Sequence, residues 1–229
     1  MTRPQPSPTA IATVPGRDRV IDLVAAATAF GVAFYVASWA LAGAWQDGYD
    51  PARQAISELF ALGAPSPGRI LLVVALVATG IGLVGFGWAL AARVRGARAA
   101  GIAAAVSGIM TVGVAAFPCT AGCPGAGTSL NDTGHAITAG VGYTALVLAP
   151  LLLAAAVWSR HRRFALVSLA LGGAAAIGLV ARTLGLAPEY SGLQQRIFNT
   201  LADLWYVAAA LWLLRHSPRR TGQRALSPR

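Results

Sequence analysis

The feature that most constrains this sequence is a set of six apolar runs, each close to the length that crosses a lipid bilayer. The runs lie near residues 20–44, 69–92, 98–117, 133–158, 163–184 and 196–215. A transmembrane helix needs about 20 consecutive apolar residues. Strands of a membrane barrel are shorter, about 10 residues, and alternate in polarity, whereas these runs are continuously apolar. The sequence therefore predicts an all-α membrane helix bundle with six transmembrane helices.

The charged residues exclude a soluble or nucleic-acid-binding protein. Only 11% of the residues are charged, against about 25% in soluble domains. The net charge of +10 comes entirely from arginines, which form short clusters between the apolar runs. No zinc-finger, helix-turn-helix or RNA-binding signature accompanies them, so we exclude nucleic acid. The expected partners are the lipid bilayer and anionic lipid head groups at the basic face; nothing indicates an oligomeric state.

The distribution of arginines predicts the orientation. Fourteen of the 18 lie in the two tails or in the second and fourth connections between runs. Because cytoplasmic loops carry the excess of basic residues, we expect both termini in the cytoplasm of a multi-pass protein of the cell membrane. The expected organisation is a disordered tail over 1–18, a transmembrane domain over 19–216 and a basic tail over 217–229.

The opposite, outer side carries the long connections and most of the acids. These connections cover about 45–68, 118–132 and 185–195, and long loops are where function tends to concentrate. Within the first, residues 50–60 have the pattern of a short amphipathic helix capped by Asp50. We expect this helix to lie at the outer membrane surface.

The chemically most informative residues lie near the outer ends of the fourth and sixth runs. Asp132 and His135 are three residues apart, so they share a helix face, and Asp132 is in position to cap that helix. Asn199 and Asp203 are four apart on the sixth run. Ionisable groups at membrane depth usually face the bundle interior. His135, Asp132 and Asp203 are therefore the candidate catalytic residues.

A polar chamber opening outward is the corresponding hypothesis for binding. Its candidate ligand-binding residues are Ser57, Glu58, Arg182, Arg196 and Asn199. The two guanidinium groups suit an anionic ligand. The alternative is structural: Arg182 pairs with Asp203, or Arg196 pairs with Glu58 or Glu189, and these ion pairs only lock helices together.

Metal and nucleophilic chemistry have weaker support. The lone histidine near a span and the absence of HExxH spacing argue against a metal site, and we expect no cofactor. A nucleophile could come from Ser57 or Thr133 with His135 as base, but no GxSxG motif accompanies them. Cys119 and Cys123 lie just outside the third run, on the predicted oxidising side. We predict a disulfide there, with redox catalysis, metal binding and free thiols as alternatives.

Several short motifs together resemble the DUF998 family. They are Ile56–Leu59, Gly63–Pro65, Phe117–Cys119, His135 and Gly192–Arg196. The resemblance covers about residues 20–215 and implies a six-helix bacterial membrane protein of unassigned function. Many members carry an aspartate soon after the Phe-Pro pair. Thr120 stands there in this chain, which puts a role for that acid in doubt unless Asp132 replaces it.

Three functions remain open from the sequence. The first is an outward-facing polar cavity that binds a small molecule or lipid head group. The second is an intramembrane hydrolase or transferase acting on a lipid, with His135 as general base and Asp132 or Asp203 orienting it. The third is a structural or accessory subunit whose polar groups only pair helices.

Overall fold

The structure is a computed structural model that describes residues 15–217, and all of its regular elements in that range are helical. The six long helices are α1 (Pro15–Trp45), α2 (Ser66–Arg93), α3 (Arg98–Ala116), α4 (Leu130–Val157), α5 (Arg162–Thr183) and α6 (Ser191–Arg215). Each is long and apolar enough to cross a membrane, so the predicted six-helix membrane bundle is confirmed. The predicted disordered N-terminal tail and basic C-terminal tail fall almost entirely outside the described residues.

The helices form a closed ring. Each packs against the next one in the chain, and α6 returns to pack against α1. Consecutive helices run antiparallel, so the α1–α2, α3–α4 and α5–α6 connections share one end of the bundle, which we call the loop end. The other end, called the terminus end, holds the short α2–α3 and α4–α5 connections and is the predicted cytoplasmic side.

Glycines set the closest helix pair, α2 with α3. A Cβ atom added to Gly80 would lie 2.7 Å from the carbonyl oxygen of Gly108, and Gly87 meets the carbonyl of Gly101 in the same way two turns further along. Small residues let helix backbones approach closely in lipid, where packing rather than hydrophobicity drives association. These glycines therefore fix the rotation of α2 and α3, and with it which of their polar side chains face the ring interior.

An ion-pair cluster joins three helices at the terminus end. The guanidinium of Arg93, at the end of α2, lies 2.5 Å from a carboxylate oxygen of Asp22 and 3.2 Å from one of Asp18, both at the start of α1. The hydroxyl of Ser217, just after α6, donates a 2.9 Å hydrogen bond to the other oxygen of Asp22. This cluster holds the first, second and last helices together where the ring closes.

The first connection enters the bundle instead of lying along a surface. After a turn at Asp50, a five-residue 3-10 helix covers Ile56–Phe60, and we call this segment the plug. Ile56, Leu59 and Phe60 are each almost completely buried. The surface helix expected over residues 50–60 therefore does not form. A shorter, buried 3-10 helix takes its place, and its three apolar side chains fill the loop end of the ring.

Candidate functional site

A stripe of polar residues on α6 faces the interior of the ring. Gln195, Asn199 and Asp203 follow one another at intervals of four and so share one helix face. All three are buried, with 3%, 3% and 8% of their surface exposed. Asp203 is twelve residues from either end of α6, which places its carboxyl group near the middle of the helix and of the membrane-spanning region.

The stripe borders a central cavity of about 60 Å³. One ordered water needs about 10–15 Å³ of such space, so the cavity has room for a few small groups. Its polar lining comes from five helices and the plug: Tyr35, Ser57, Thr79, Ser107, Thr111, Thr138, Tyr143, Gln195, Asn199 and Asp203. Apolar side chains complete the wall, and the plug residues Ile56, Ser57 and Phe60 border it at the loop end.

Gln195 ties the plug to the cavity wall. Its amide nitrogen donates a 2.6 Å hydrogen bond to the hydroxyl of Tyr143 on α4. Its amide oxygen accepts a 2.8 Å bond from the backbone N–H of Ile56. Both polar atoms of this buried amide are therefore satisfied, so Gln195 positions the cavity wall and has little capacity left for a ligand.

Asn199 and Asp203 are different because each keeps an oxygen with no partner. Among residues 15–217, neither Oδ1 of Asn199 nor Oδ2 of Asp203 has a hydrogen-bond partner, and both atoms are buried. Native proteins pair most of their buried polar atoms, and an unpaired buried carboxyl group is especially costly. These two oxygens are therefore the atoms of the cavity that are best placed to meet a ligand.

Arg196 faces away from this cavity and holds the first connection in place. One terminal nitrogen donates to the carbonyls of Pro51, at 2.8 Å, and Gln54, at 2.9 Å, and the other donates to the hydroxyl of Tyr49. The guanidinium also stacks over the rings of Trp39 and Tyr49, 5.3 and 5.5 Å from their centroids. These contacts hold the first connection against α1 and α6, and we call Arg196 and its partners the clamp.

Tyr49 completes this clamp. Burial raises the pKa of its phenol, although the hydrogen bond from Arg196 opposes that shift. The hydroxyl therefore keeps its proton at neutral pH and donates it to the backbone, with the carbonyl of Ala55 at 2.9 Å. Arg196 and Tyr49 together satisfy the carbonyls that precede the plug.

Glu58 and Arg182 also make local contacts. One oxygen of Glu58 accepts a 2.8 Å bond from the N–H of Ala55, which caps the plug, and the other accepts from the Gln54 amide at 3.1 Å. Arg182 donates to the carbonyl of Ser191 at the start of α6. Neither residue lines the central cavity. The ion pairs formed within residues 15–217 include neither Arg182 with Asp203 nor Arg196 with an acid.

Asp132 organises the α3–α4 connection. Ser129, not Asp132, is the N-cap of α4, and its hydroxyl accepts a bond from the Asp132 backbone N–H. The Asp132 carboxylate in turn accepts the hydroxyl of Ser129 at 2.6 Å and both the N–H and the hydroxyl of Thr120, at 2.8 and 2.9 Å. The acid therefore contacts Thr120, the position where a family aspartate was expected.

His135 closes the end of α3. Its Nδ1 lies 2.9 Å from the carbonyl oxygen of Phe117, and because a carbonyl only accepts, Nδ1 carries the proton. The ring packs 5.9 Å from that of Phe60 in the plug. His135 does not line the cavity, and in the described chain it has no hydrogen bond to Ser57 or Thr133. The candidate catalytic residues thus divide: Asp132 and His135 lie in the first two turns of α4, where they contact the α3–α4 connection, and Asp203 lines the cavity.

The predicted disulfide between Cys119 and Cys123 is present, with 5.0 Å between their Cα atoms. It packs directly on the plug. The Cys123 sulfur lies 3.5 Å from the Ser57 hydroxyl, and the Cys119 carbonyl accepts a 2.8 Å bond from the N–H of Leu62, just after the plug. No group of three or more His, Cys, Asp or Glu side chains suited to a metal occurs in residues 15–217.

Seven polar cavity residues were absent from the sequence-based candidates: Tyr35, Thr79, Ser107, Thr111, Thr138, Tyr143 and Gln195. Gln195 carries a signal that could have been found, since it continues the four-residue spacing of Asn199 and Asp203. The predicted start of the sixth run at 196 excluded it. The other six are polar residues within apolar helices, and nothing in their spacing distinguishes an inward position from an outward one.

The fold defines a multi-pass membrane protein, with a small central cavity lined by five of its six helices and the plug. Comparison with protein families places the chain more narrowly. The family model described as "Protein of unknown function (DUF998)" matches residues 29–212, so the chain belongs to the DUF998 family and the predicted resemblance is confirmed. No curated protein matches the sequence. No solved structure matches it either.

Proposed function

We propose that this protein binds a small molecule or a lipid head group in the central cavity. The observation that carries the proposal is the pair of unpartnered oxygens on Asn199 and Asp203, buried beside an internal space. A polar or ionisable residue in the middle of a membrane helix is costly to keep and commonly marks a ligand or ion pathway.

The proposal includes an orientation, with the loop end on the outer side of the cell membrane, and entry to the cavity from that side requires the plug to move. The Cys119–Cys123 disulfide at the loop end supports it, because disulfides persist in oxidising compartments. The arginine excess at the opposite end also supports it. That basic end would attract anionic lipid head groups without requiring a specific site.

A lipid hydrolase or transferase receives no comparable support. A general base must lie within hydrogen-bond reach of the group it deprotonates, directly or through one water. His135 donates Nδ1–H to the carbonyl of Phe117, which leaves Nε2 as the nitrogen that could act as a base. Neither His135 nor Asp132 lines the cavity, so the buried oxygens that carry the binding proposal are out of their reach.

Thermal unfolding of the purified protein in detergent tests the binding role. The probes are single small molecules of different charge: glycine, ethanolamine, glucose and glycerol 3-phosphate. Ala139→Leu adds three carbons at a residue that lines the cavity without removing a hydrogen-bonding group. Ala155→Leu makes the same change at an exposed position of the same helix.

We expect at least one probe to raise the unfolding temperature of the wild type and of Ala155→Leu, but not of Ala139→Leu. If every probe acts equally on all three proteins, the cavity is not a binding site. The accessory-subunit role would then be the better account of the polar residues.

A further inference from the structure

The charge of the cavity indicates what kind of ligand it takes. Among its lining residues Asp203 is the only Asp, Glu, Arg or His. The two arginines nearest in sequence, Arg182 and Arg196, donate to backbone carbonyls instead. The only charge that a side chain of this cavity can present to a ligand is therefore negative. An anionic ligand would meet a carboxyl group with no cation beside it, which disfavours it.

The two unpartnered oxygens of the cavity also favour a cationic ligand. Both the Asp203 Oδ2 and the Asn199 Oδ1 are acceptors, and they lie one turn apart on the same face of α6. A group that satisfies them must bring hydrogen-bond donors. An alkylammonium group carries three N–H donors and no acceptor, and hydrogen bonds between charged partners are about twice as strong as neutral ones.

The rest of the lining favours an organic cation over a metal ion. The aromatic rings of Tyr35, Tyr143 and Phe60 border the space, and aromatic faces attract ammonium groups. Apolar side chains such as Leu83 and Leu146 make up much of the remaining wall and suit a short alkyl chain. Hard metal ions instead require several oxygen ligands arranged around one point.

We propose that the central cavity binds a primary ammonium group on a short carbon chain, with its N–H groups donating to Asp203 and Asn199. This inference rests on the proposed binding function and names its ligand class. The ammonium group could belong to a soluble amine or to the head group of a lipid such as phosphatidylethanolamine. Both present the same chemistry to the two oxygens.

A series of probes of equal size tests the charge preference in the wild-type protein. Ethylammonium, ethanol and formate each have three heavy atoms and differ in charge. Even at the highest affinity per heavy atom that small ligands reach, ligands this small bind with dissociation constants of about 0.5 mM at best, so the titration runs from about 0.1 to 50 mM. Sodium and potassium chloride at matched ionic strength provide the inorganic cations.

We expect ethylammonium alone to raise the unfolding temperature, by about 3–6 °C at ten times its dissociation constant. Stabilisation by ethanol or formate to the same extent would overturn the ammonium assignment but leave a binding cavity. Equal stabilisation by sodium would make the site inorganic. If no probe acts at all, both this inference and the proposed function fail.

A charge-removing variant locates the effect. Asp203→Asn keeps the shape of the side chain, and we expect it to weaken ethylammonium binding about tenfold or more. Asp47→Asn makes the same change at an exposed residue near the loop end and should leave binding unchanged. Equal weakening in both variants would place the effect on surface charge. If Asp203→Asn fails to fold, the wild-type probe series still decides the ligand class.

A lipid arm separates the two sources of ammonium. Micelles doped with phosphatidylethanolamine are compared with micelles doped with phosphatidylcholine, whose quaternary nitrogen has no N–H donor. Stabilisation by phosphatidylethanolamine alone identifies a lipid head group as the ligand. Stabilisation by ethylammonium without any lipid effect identifies a soluble amine.

Discussion

The close contact of α2 with α3 offers the sharpest test of how the bundle is packed. In Gly80→Ala the new Cβ would lie 2.7 Å from the Gly108 carbonyl oxygen and 2.7 Å from Cγ2 of Val112. Ordinary contacts begin near 3.4 Å, so the helices must separate by about 0.7 Å, the difference between those two distances. The carbonyl is backbone and cannot rotate away.

The magnitude follows from this geometry. Overpacking a well-packed interior costs about 1–3 kcal/mol, and a backbone clash belongs in the upper part of that range, about 2–3 kcal/mol. Gly173→Ala, within α5, is the matched control because a Cβ there meets nothing within 4 Å. Alanine favours helix over glycine by roughly 0.5–1 kcal/mol in both variants, so that term cancels between them.

The assay is thermal unfolding of both variants in the same detergent, followed by tryptophan fluorescence. At about 2–4 °C per kcal/mol for a chain of this size, Gly80→Ala should melt about 4–12 °C below Gly173→Ala. Equal melting temperatures would refute the reasoning. They would mean that the two helices are not held at backbone contact and that glycine is not what fixes their rotation.

Three further perturbations probe the loop end and the terminus end. Arg196→Met should lower the free energy of unfolding by about 2–5 kcal/mol, because it leaves buried carbonyls of the first connection without hydrogen-bond donors. Trypsin should then cleave this variant faster after the exposed Arg53. Reducing the disulfide of the α3–α4 connection should loosen the plug that it contacts, measured as faster amide exchange over residues 56–62, with helix α5 as the unchanged internal reference. At the terminus end, burial lowers the pKa of His161, and His216 and Arg160 lower it further. The unfolded chain then binds more protons than the folded one between that lowered pKa and the ordinary value near 6.5. The unfolding temperature of the wild type should therefore fall as the pH drops through this window. His161→Gln should show a smaller fall over the same pH range. An identical pH dependence in the two proteins would contradict the lowered pKa of His161.

The fold could be predicted from the sequence because a lipid bilayer restricts the structures that can cross it. Backbone polar groups in lipid must be satisfied within the segment, so an apolar run of about 20 residues has one outcome, a helix. Six such runs therefore predict six helices whatever their packing. The disulfide was also accessible, since Cys119 and Cys123 are close in sequence and lie on the side where the arginines predict an oxidising compartment.

Only part of the site could be predicted from the sequence. The chemistry of a side chain follows from the residue type, whereas the direction in which it points depends on how the helices pack. Asn199 and Asp203 were found through their spacing, and their unpartnered oxygens now carry the proposal. His135 attracted attention as a rare ionisable group, yet its Nδ1 closes the end of α3. Tyr35 on α1 and Tyr143 on α4 face inward because of how those two helices are rotated in the ring, and the spacing of polar residues along each helix does not reveal that rotation.

The closure of the ring between α1 and α6 has a consequence for how the protein is made. The hydrogen bond from Ser217 to Asp22 joins residues 195 positions apart, so during synthesis the first helix must wait for the last before its packing is complete. Asp203 lies on that last helix, so the cavity is complete only once α6 has packed against α5 and α1. A ligand that binds in the cavity would therefore stabilise the closed ring and favour this last step of assembly.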